Sequence, residues 1–364
     1  MSRKQSRSRS PIRSQIMNRH PIAPVSGPPQ PQAVLSLLDA MVEGNEFASI
    51  VGLFLQDGDV VRELRRSLAE IEAIRSRPCL CYVANVVKQD ATMAIDLSDD
   101  LPFNEMVSLV DPAKRDADVL IVTPGGLGAQ VSQFVNTLRQ RFDSVEFILP
   151  ERAMSAGTLW ALSGDRIWMD SRAFIGPIDP QVRLKDGQFV SAQSVLILLD
   201  KIRQDGEAAL RRGENPPWTL IRLVDNMDPR LIGDAMSQSN YSITMATDFL
   251  RKYKFSTWTH RRSTGEVVTQ DMKTARAQEI AGLLCSNERW KSHGHGITRD
   301  VANQELQLVI DHLEDQAGLQ RAVRRFWALL YYLFDKTYIG KLFISQQYAL
   351  FRVAPNAPTQ TSTP

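Results

Sequence analysis

Ser155 stands in the run ERAMSAGTLWAL, directly after the strand-like FILP and directly before an apolar helical stretch. Upstream, the run DVLIVTPGG ends in a glycine pair, Gly125 and Gly126, placed after Thr123 and Pro124. Proline presets one dihedral, and a glycine turns its amide outward without a Cβ penalty. Backbone N–H groups freed at a strand end suit an oxyanion or pair with an extended peptide. A serine at a helix start, with the helix dipole behind the Ala156 amide, suits nucleophilic acyl chemistry. The small neighbours Ala153, Ala156 and Gly157 would let a substrate approach closely. Serine is also a good N-cap, so capping alone is the plainer explanation of Ser155. Taken singly, a PGG turn looks like any other turn.

A serine nucleophile needs a base. The helical run SVLILLDKIRQ carries Lys201, with the apolar Ile197 one turn earlier, and a lysine on an apolar face can lose its proton more easily than one in water. Lys185, in a polar turn, is a poorer candidate. His293 and His295 lie in the loop WKSHGHGIT, far along the chain, where the fold would have to bring them to Ser155. They have no nearby carboxylate or cysteine companions, so no metal site is expected there. Asp179, between prolines in IGPIDPQ, either shapes the pocket or fixes a turn.

The elements that must position these residues alternate. PCLCYVANV, DVLIVTP, SVEFILP and DRIWMD read as strands, and AQVSQFVNTLRQRF puts Val131, Phe134, Val135 and Leu138 on one helical face. Near-continuous apolar strands between helices predict an α/β fold with a parallel sheet covered on both faces. The run AFIGPID reads as a further strand, and the DVANQELQLVIDHLEDQ stretch as helical.

Taken in order, TPGG, then ERAMSAGTLWALSGD, then IGPIDPQ resembles the Clp protease/crotonase superfamily. Within it the chain resembles the serine dehydrogenase proteinase family, relatives of bacterial signal peptide peptidase A. The likeness is close over residues 78–181 and looser through 314. It implies a spiral of ββα units, assembled as a homo-oligomer in trimer-based rings. It implies Ser155 as nucleophile, Gly125 and the Ala156 amide as oxyanion hole, and the strand edge at Gly126 and Leu127 as the binding site for a peptide or protein substrate. Clp-type members use a downstream His as base, and the matching GPIDPQ run has none. Signal-peptide-peptidase-like members use a lysine, which points to Lys201 and a Ser–Lys dyad, with His293 the alternative base.

The expected organisation is a basic, Pro-rich tail over 1–31, a helical preface over 32–75, the hydrolase domain over 76–315, an aromatic-rich helical segment over 316–354 and a polar tail over 355–364. The tail is too polar to offset its ordering entropy. The N-terminal MSRKQSRSRS run leads into no apolar segment of the secretory kind. A net charge of +2 predicts no nucleic-acid partner, and 43% hydrophobic residues suffice for a large core. Three cysteines, Cys79, Cys81 and Cys285, form no CxxC pair, so neither disulfides nor zinc are expected. No Walker-type loop is present and no cofactor is implied, so any unfolding activity would come from a partner. The apolar run 326–334 is too short to span a bilayer. Its aromatic and basic flanks suit a docked helical pair, an oligomer interface, or peripheral contact with the inner face of the membrane from a cytoplasmic location.

The leading expectation is therefore a serine peptidase, ATP-independent by itself. The alternatives are a catalytically inactive ring-forming scaffold or peptide-binding protein, and a crotonase-like enzyme acting on an acyl-CoA.

Overall fold

The protein is described by a computed structural model covering residues 57–261 and 264–355. The expected N-terminal tail, most of the helical preface and nearly all of the C-terminal tail lie outside the described residues.

Five parallel strands make up most of a seven-stranded sheet, from one edge inward. In chain order they are β1 (Cys79–Ala84), β2 (Asp116–Val122), β3 (Ser144–Leu149), β5 (Arg166–Met169) and β10 (Asp311–His312). Two antiparallel strands, β11 (Ile339–Ile344) and β12 (Ala349–Val353), extend the sheet beyond β1, so its order is β10-β5-β3-β2-β1-β11-β12. Strand side chains alternate between faces, and here both faces are covered. Leu80, Tyr82, Val119, Ile121, Phe147 and Leu149 point to one core. Cys79, Cys81, Val83, Leu120, Val122 and Ile148 point to the other. This is why the strand sequences read as unbroken apolar runs.

The first core is closed by α2 (Asp100–Ser108), α3 (Gly128–Arg141) and α4 (Ala156–Leu162). The predicted stripe on α3 is buried as expected. Phe103, Phe134, Trp160 and Tyr82 meet there as tilted and edge-on ring pairs, with centroids 4.4 to 5.9 Å apart. The second core lies under α1 (Asp57–Arg75), which buries Val60, Leu64, Leu68 and Ile71. Arg75 ends α1 by gripping Asp118 at 2.7 Å and Glu146 at 2.6 Å, at the end of the sheet where β2 and β3 begin.

The 316–354 segment departs from expectation. Only Leu319–Lys336 is helical, and its large side chains, Phe326, Leu330, Leu333 and Phe334 among them, are buried against the sheet beside α1. The remainder forms β11 and β12, because Leu342 and Ile344 fill the second core while Phe343 reaches the first. Most of the aromatic run thus packs inside the fold. No helix among the described residues is long and apolar enough to cross a membrane. The expected helix after residue 300 is also short. Arg299–Gln304 is helical, then Gln307 takes a left-handed φ of 47°. Asn303 bonds Ile310 through both N–H and C=O, which turns the chain into β10.

A smaller sheet carries the site. β4 (Arg152–Ala153) pairs in parallel with β6 (Phe174–Ile175), and β6 pairs antiparallel with β9 (Ile297–Thr298). A hairpin of β7 (Gln181–Arg183) and β8 (Phe189–Ser191) leads into α5 (Ala192–Arg211), followed by α6 (Trp218–Asn226), α7 (Pro229–Phe249) and α8 (Gln270–Cys285). Phe134 and Trp160 link the central sheet to α4 and hence to the site. Phe134→Ala is expected to cost about 3–5 kcal/mol through lost burial and the cavity left behind. Urea denaturation checks this, and a change below about 1 kcal/mol would mean the ring cluster does not hold the sheet to α4.

Candidate active site

β2 delivers the glycine turn to β4 through backbone bonds. The Thr123 N–H donates to Arg152 O at 2.9 Å, and the Met154 N–H donates to Thr123 O at 3.0 Å. Gly125 (φ 103°) and Gly126 (φ 142°) then take conformations that side chains disfavour. The reasons are steric. A Cβ on Gly125 would lie 2.8 Å from both Met154 O and the Ser155 Cβ, and 3.3 Å from the Ala156 nitrogen. A Cβ on Gly126 would overlap the backbone of Ile95.

Ile95 clasps this turn from the other side. Its N–H donates to Gly125 O at 2.7 Å, and its C=O accepts from the Leu127 N–H at 2.9 Å. In a trans peptide the C=O and the following N–H point in opposite directions, and no cis bond occurs among the described residues. With Gly125 C=O turned to Ile95, the Gly126 N–H therefore points away from Ile95. The Gly125 N–H is engaged elsewhere, donating to Thr123 Oγ1 at 3.1 Å. Gly125, expected from sequence to offer an oxyanion amide, thus uses that amide within the turn and supplies the close approach to Ser155, while the N–H turned away from Ile95 is that of Gly126.

Ser155 occupies φ 51° and ψ −116°, a region costly for any residue with a Cβ. Its side chain makes no capping bond to α4. Capping, the plain explanation, is therefore not what the side chain does. Such a strained turn between strand and helix is the geometry that lifts a serine hydroxyl clear of the backbone. The turn is fixed by α4, buried along its whole length. The Gly157 N–H donates to Met154 O at 2.7 Å, and the Thr158 hydroxyl donates to Ala153 O at 2.7 Å and accepts from the Gly176 N–H at 2.9 Å. Gly157 packs tightly against Thr123, and Ala153 is fully buried.

The GPID run follows β6 beside the elbow, with Gly176 directly under the Met154 side chain. Asp179 is only 1% exposed, and its carboxylate accepts from Ser191 Oγ at 2.6 Å and lies 2.9 Å from His293 Nδ1. The tautomer this favours carries the proton on Nδ1 and leaves Nε2 as an acceptor. β4 and β6 run parallel, and β9 runs back along β6. Residues 154–155, 176–179 and 293–296 therefore leave the same end of the small sheet. Asp179 thus holds a histidine, a link with no local signal in the sequence because 114 residues separate the pair. Burial, then the nearby Asp179 charge, pushes the Cys285 thiol up to about 12, so it stays protonated there.

Lys201 lies elsewhere. Its side chain is 72% exposed on α5, and its ammonium faces Asp205 of the same helix at 3.8 Å. Lys185 is exposed beside Asp228. His295 stacks on Trp290 with ring centroids 5.3 Å apart. Among the described residues no group of His, Cys, Asp or Glu is arranged to hold a metal ion. Leu127 is half-exposed beside the glycine turn, and Tyr241 and Met245 of α7 approach the adjoining Gly128.

Residues 94–207 match the family of ClpP-like SDH-type serine proteinases. The α/β, ClpP-like fold and the family resemblance expected from the three motifs both stand. The matched segment holds Ile95, the glycine turn, Ser155 and Asp179, and ends before His293. An uncharacterised protein of Methanocaldococcus jannaschii is 32% identical over 155 residues, covering 41% of this chain and 48% of that one. A second uncharacterised protein of the same organism is 42% identical over 71 residues, covering 20% and 25%. The chain thus spans about half of the first relative's length and a quarter of the second's. Among solved structures, a membrane-bound stomatin-specific protease in a serine-to-alanine mutant form is similar at 14% identity, with 64% of this chain and 78% of that one covered and a TM-score of 0.35.

Strain at Ser155 has a measurable consequence. Ser155→Gly is expected to stabilise the chain by about 1 kcal/mol while removing any Ser155-dependent activity, because glycine relieves the backbone cost. Ser155→Ala keeps the strain and should leave stability within about 0.5 kcal/mol. Thermal denaturation of both variants checks this. A Ser155→Gly variant less stable than Ser155→Ala would contradict the strained-elbow account.

Proposed function

We propose that the chain is a serine peptidase in which Ser155 is the nucleophile. The observation that carries this is the Ser155 backbone, held at φ 51° and ψ −116° with an uncapped side chain against the Cβ-free face of Gly125. The ClpP-like family match over 94–207 supports a serine peptidase in general.

In the proposed reaction the Ser155 hydroxyl attacks a substrate carbonyl and gives its proton to a base. The tetrahedral oxyanion is received by the amides of Gly126 and Ala156, the second aided by the start of α4. This refines the sequence expectation, since the N–H of Gly125 already serves Thr123. The base in this reading is His293 through Nε2, with Asp179 holding its ring at Nδ1. Collapse of the intermediate returns the proton to the leaving amine, and water then hydrolyses the acyl-enzyme by the same route. The solvent-facing pairing of Lys201 with Asp205 supports assigning the base to His293 and not to a Ser–Lys dyad. An extended peptide would lie along the turn at Gly126 and Leu127, with the exposed Leu127 side chain beside it. Assembly into a homo-oligomer is part of the same proposal. The exposed Trp218, Ile221 and Val224 of α6, a helix with no buried residue, support association between copies.

A fluorophosphonate probe followed by intact mass tests the nucleophile, and turnover of a p-nitrophenyl ester tests the base. Labelling is expected on the native chain and absent in Ser155→Ala. His293→Ala and Asp179→Asn should each lower kcat by about 10³–10⁴, while Lys201→Ala changes it less than about twofold. An unlabelled native chain favours the inactive scaffold. A Lys201→Ala loss matching that of Ser155→Ala would restore the Ser–Lys dyad.

A further inference from the structure

Among the described residues Lys341 is the most completely buried basic side chain. It stands on β11 opposite Ala84, outside the family-matched segment, with its side chain fully buried. Its ammonium lies 2.7 Å from both Asp99 carboxylate oxygens and donates to Ala94 O at 2.8 Å. Asp99, also fully buried, accepts in addition from Tyr82 OH at 2.9 Å and from the Asp96 N–H at 3.0 Å. Arg352 of β12 closes the cluster from the rim, reaching Asp99 at 3.2 Å and both Ser98 Oγ and Ser98 O. Gly340 allows the close fit, since a Cβ there would lie 2.8 Å from Ala91 O. The short loop 94–99 is thus pinned at both ends by groups from β1, β11 and β12.

That loop contains Ile95, whose N–H and C=O hold Gly125 O and the Leu127 N–H. A buried ion pair is weak as a stabilising device but can select one conformation over its neighbours. Here the conformation selected is the orientation of the peptide joining Gly125 to Gly126. The geometry points to Lys341 as a positioning residue for the oxyanion hole, acting through Asp99, Ala94 and Ile95. This rests on the serine-peptidase reading above. It assigns the C-terminal hairpin a part in the reaction, although neither Lys341 nor Asp99 touches the reacting atoms.

The test compares native protein with the triple variant Tyr82→Phe, Asp99→Leu and Lys341→Met, which exchanges the buried polar cluster for apolar groups of similar size. With a p-nitrophenyl ester, kcat is expected to fall about tenfold to a hundredfold while KM stays within about threefold. Inhibition by a leucine-rich peptide aldehyde, whose adduct places an oxyanion in the hole, should weaken by the same factor as kcat. A purely structural cluster would lower the melting temperature and leave these ratios alone. Should the triple variant not fold, Arg352→Gln carries the test, with a severalfold loss of kcat at unchanged KM expected. Native kcat and aldehyde affinity in the folded variant would overturn the proposal, as would a loss confined to KM. If the native chain itself fails to react with a fluorophosphonate, the serine-peptidase reading falls first. If it reacts and the variants match it, only the role of Lys341 falls.

Discussion

Ser155 can hold its left-handed φ only because Gly125 lies against it without a side chain, where a Cβ would come within 2.8 Å of the Ser155 Cβ. Strain of this kind costs on the order of 1–3 kcal/mol and persists only when the surroundings over-determine it. The surroundings do so from three directions. Parallel pairing of Thr123 with Ala153 sets the distance between the two turns. The buried helix Ala156–Leu162 fixes the residue after the serine. Thr158 and Gly176 lock the GPID run against the elbow. A structure that needed Ser155 only as a helix start would have let its hydroxyl cap that helix.

The same pairing explains how segments distant in sequence come to leave the same end of the small sheet. The parallel bridge of Thr123 with Ala153 sets the end of β2 beside β4, so the turns after β2 and β4 meet without being near in sequence. The small sheet of β4, β6 and β9 adds the Asp179 and His293 segments to that end. Ile95 then holds the glycine turn from outside, and Lys341 and Asp99 bond its two neighbours, Ala94 and Asp96. Each layer reduces the freedom of the one within, which is what the proposed stabilisation by backbone amides would need.

Much of this was legible in the sequence. The apolar strands and the α3 stripe of Val131, Phe134, Val135 and Leu138 pointed to the α/β class because they depend on local periodicity, and the order of the three motifs carried the resemblance to the Clp-type family. Gly125, Gly126 and Ser155 stood out because special backbone geometry demands special residues. What could not be read were relations set by tertiary pairing. The carbonyl orientation that distinguishes Gly126 from Gly125 is decided by Ile95, some thirty residues upstream. Lys201 looked apt because its helix is amphipathic, yet it lies on the solvent side of that helix. His293 was legible as an alternative base but not its partner, since Asp179 meets it only through the pairing of β6 with β9. The 316–354 segment misled because buried aromatic strands and amphipathic aromatic helices share a composition, and Leu342 and Ile344 alternate over too short a run to separate them.

The account turns on where an oxyanion would sit, so the most direct measurement is a crystal structure of the chain after reaction with a fluorophosphonate. It predicts a phosphonyl group on Ser155 Oγ, its free oxygen within hydrogen-bond distance of the Gly126 and Ala156 nitrogens, and His293 Nε2 facing Oγ while Nδ1 keeps Asp179. An adduct on another residue, or an oxygen turned to solvent with the Gly126 amide pointing elsewhere, would contradict it.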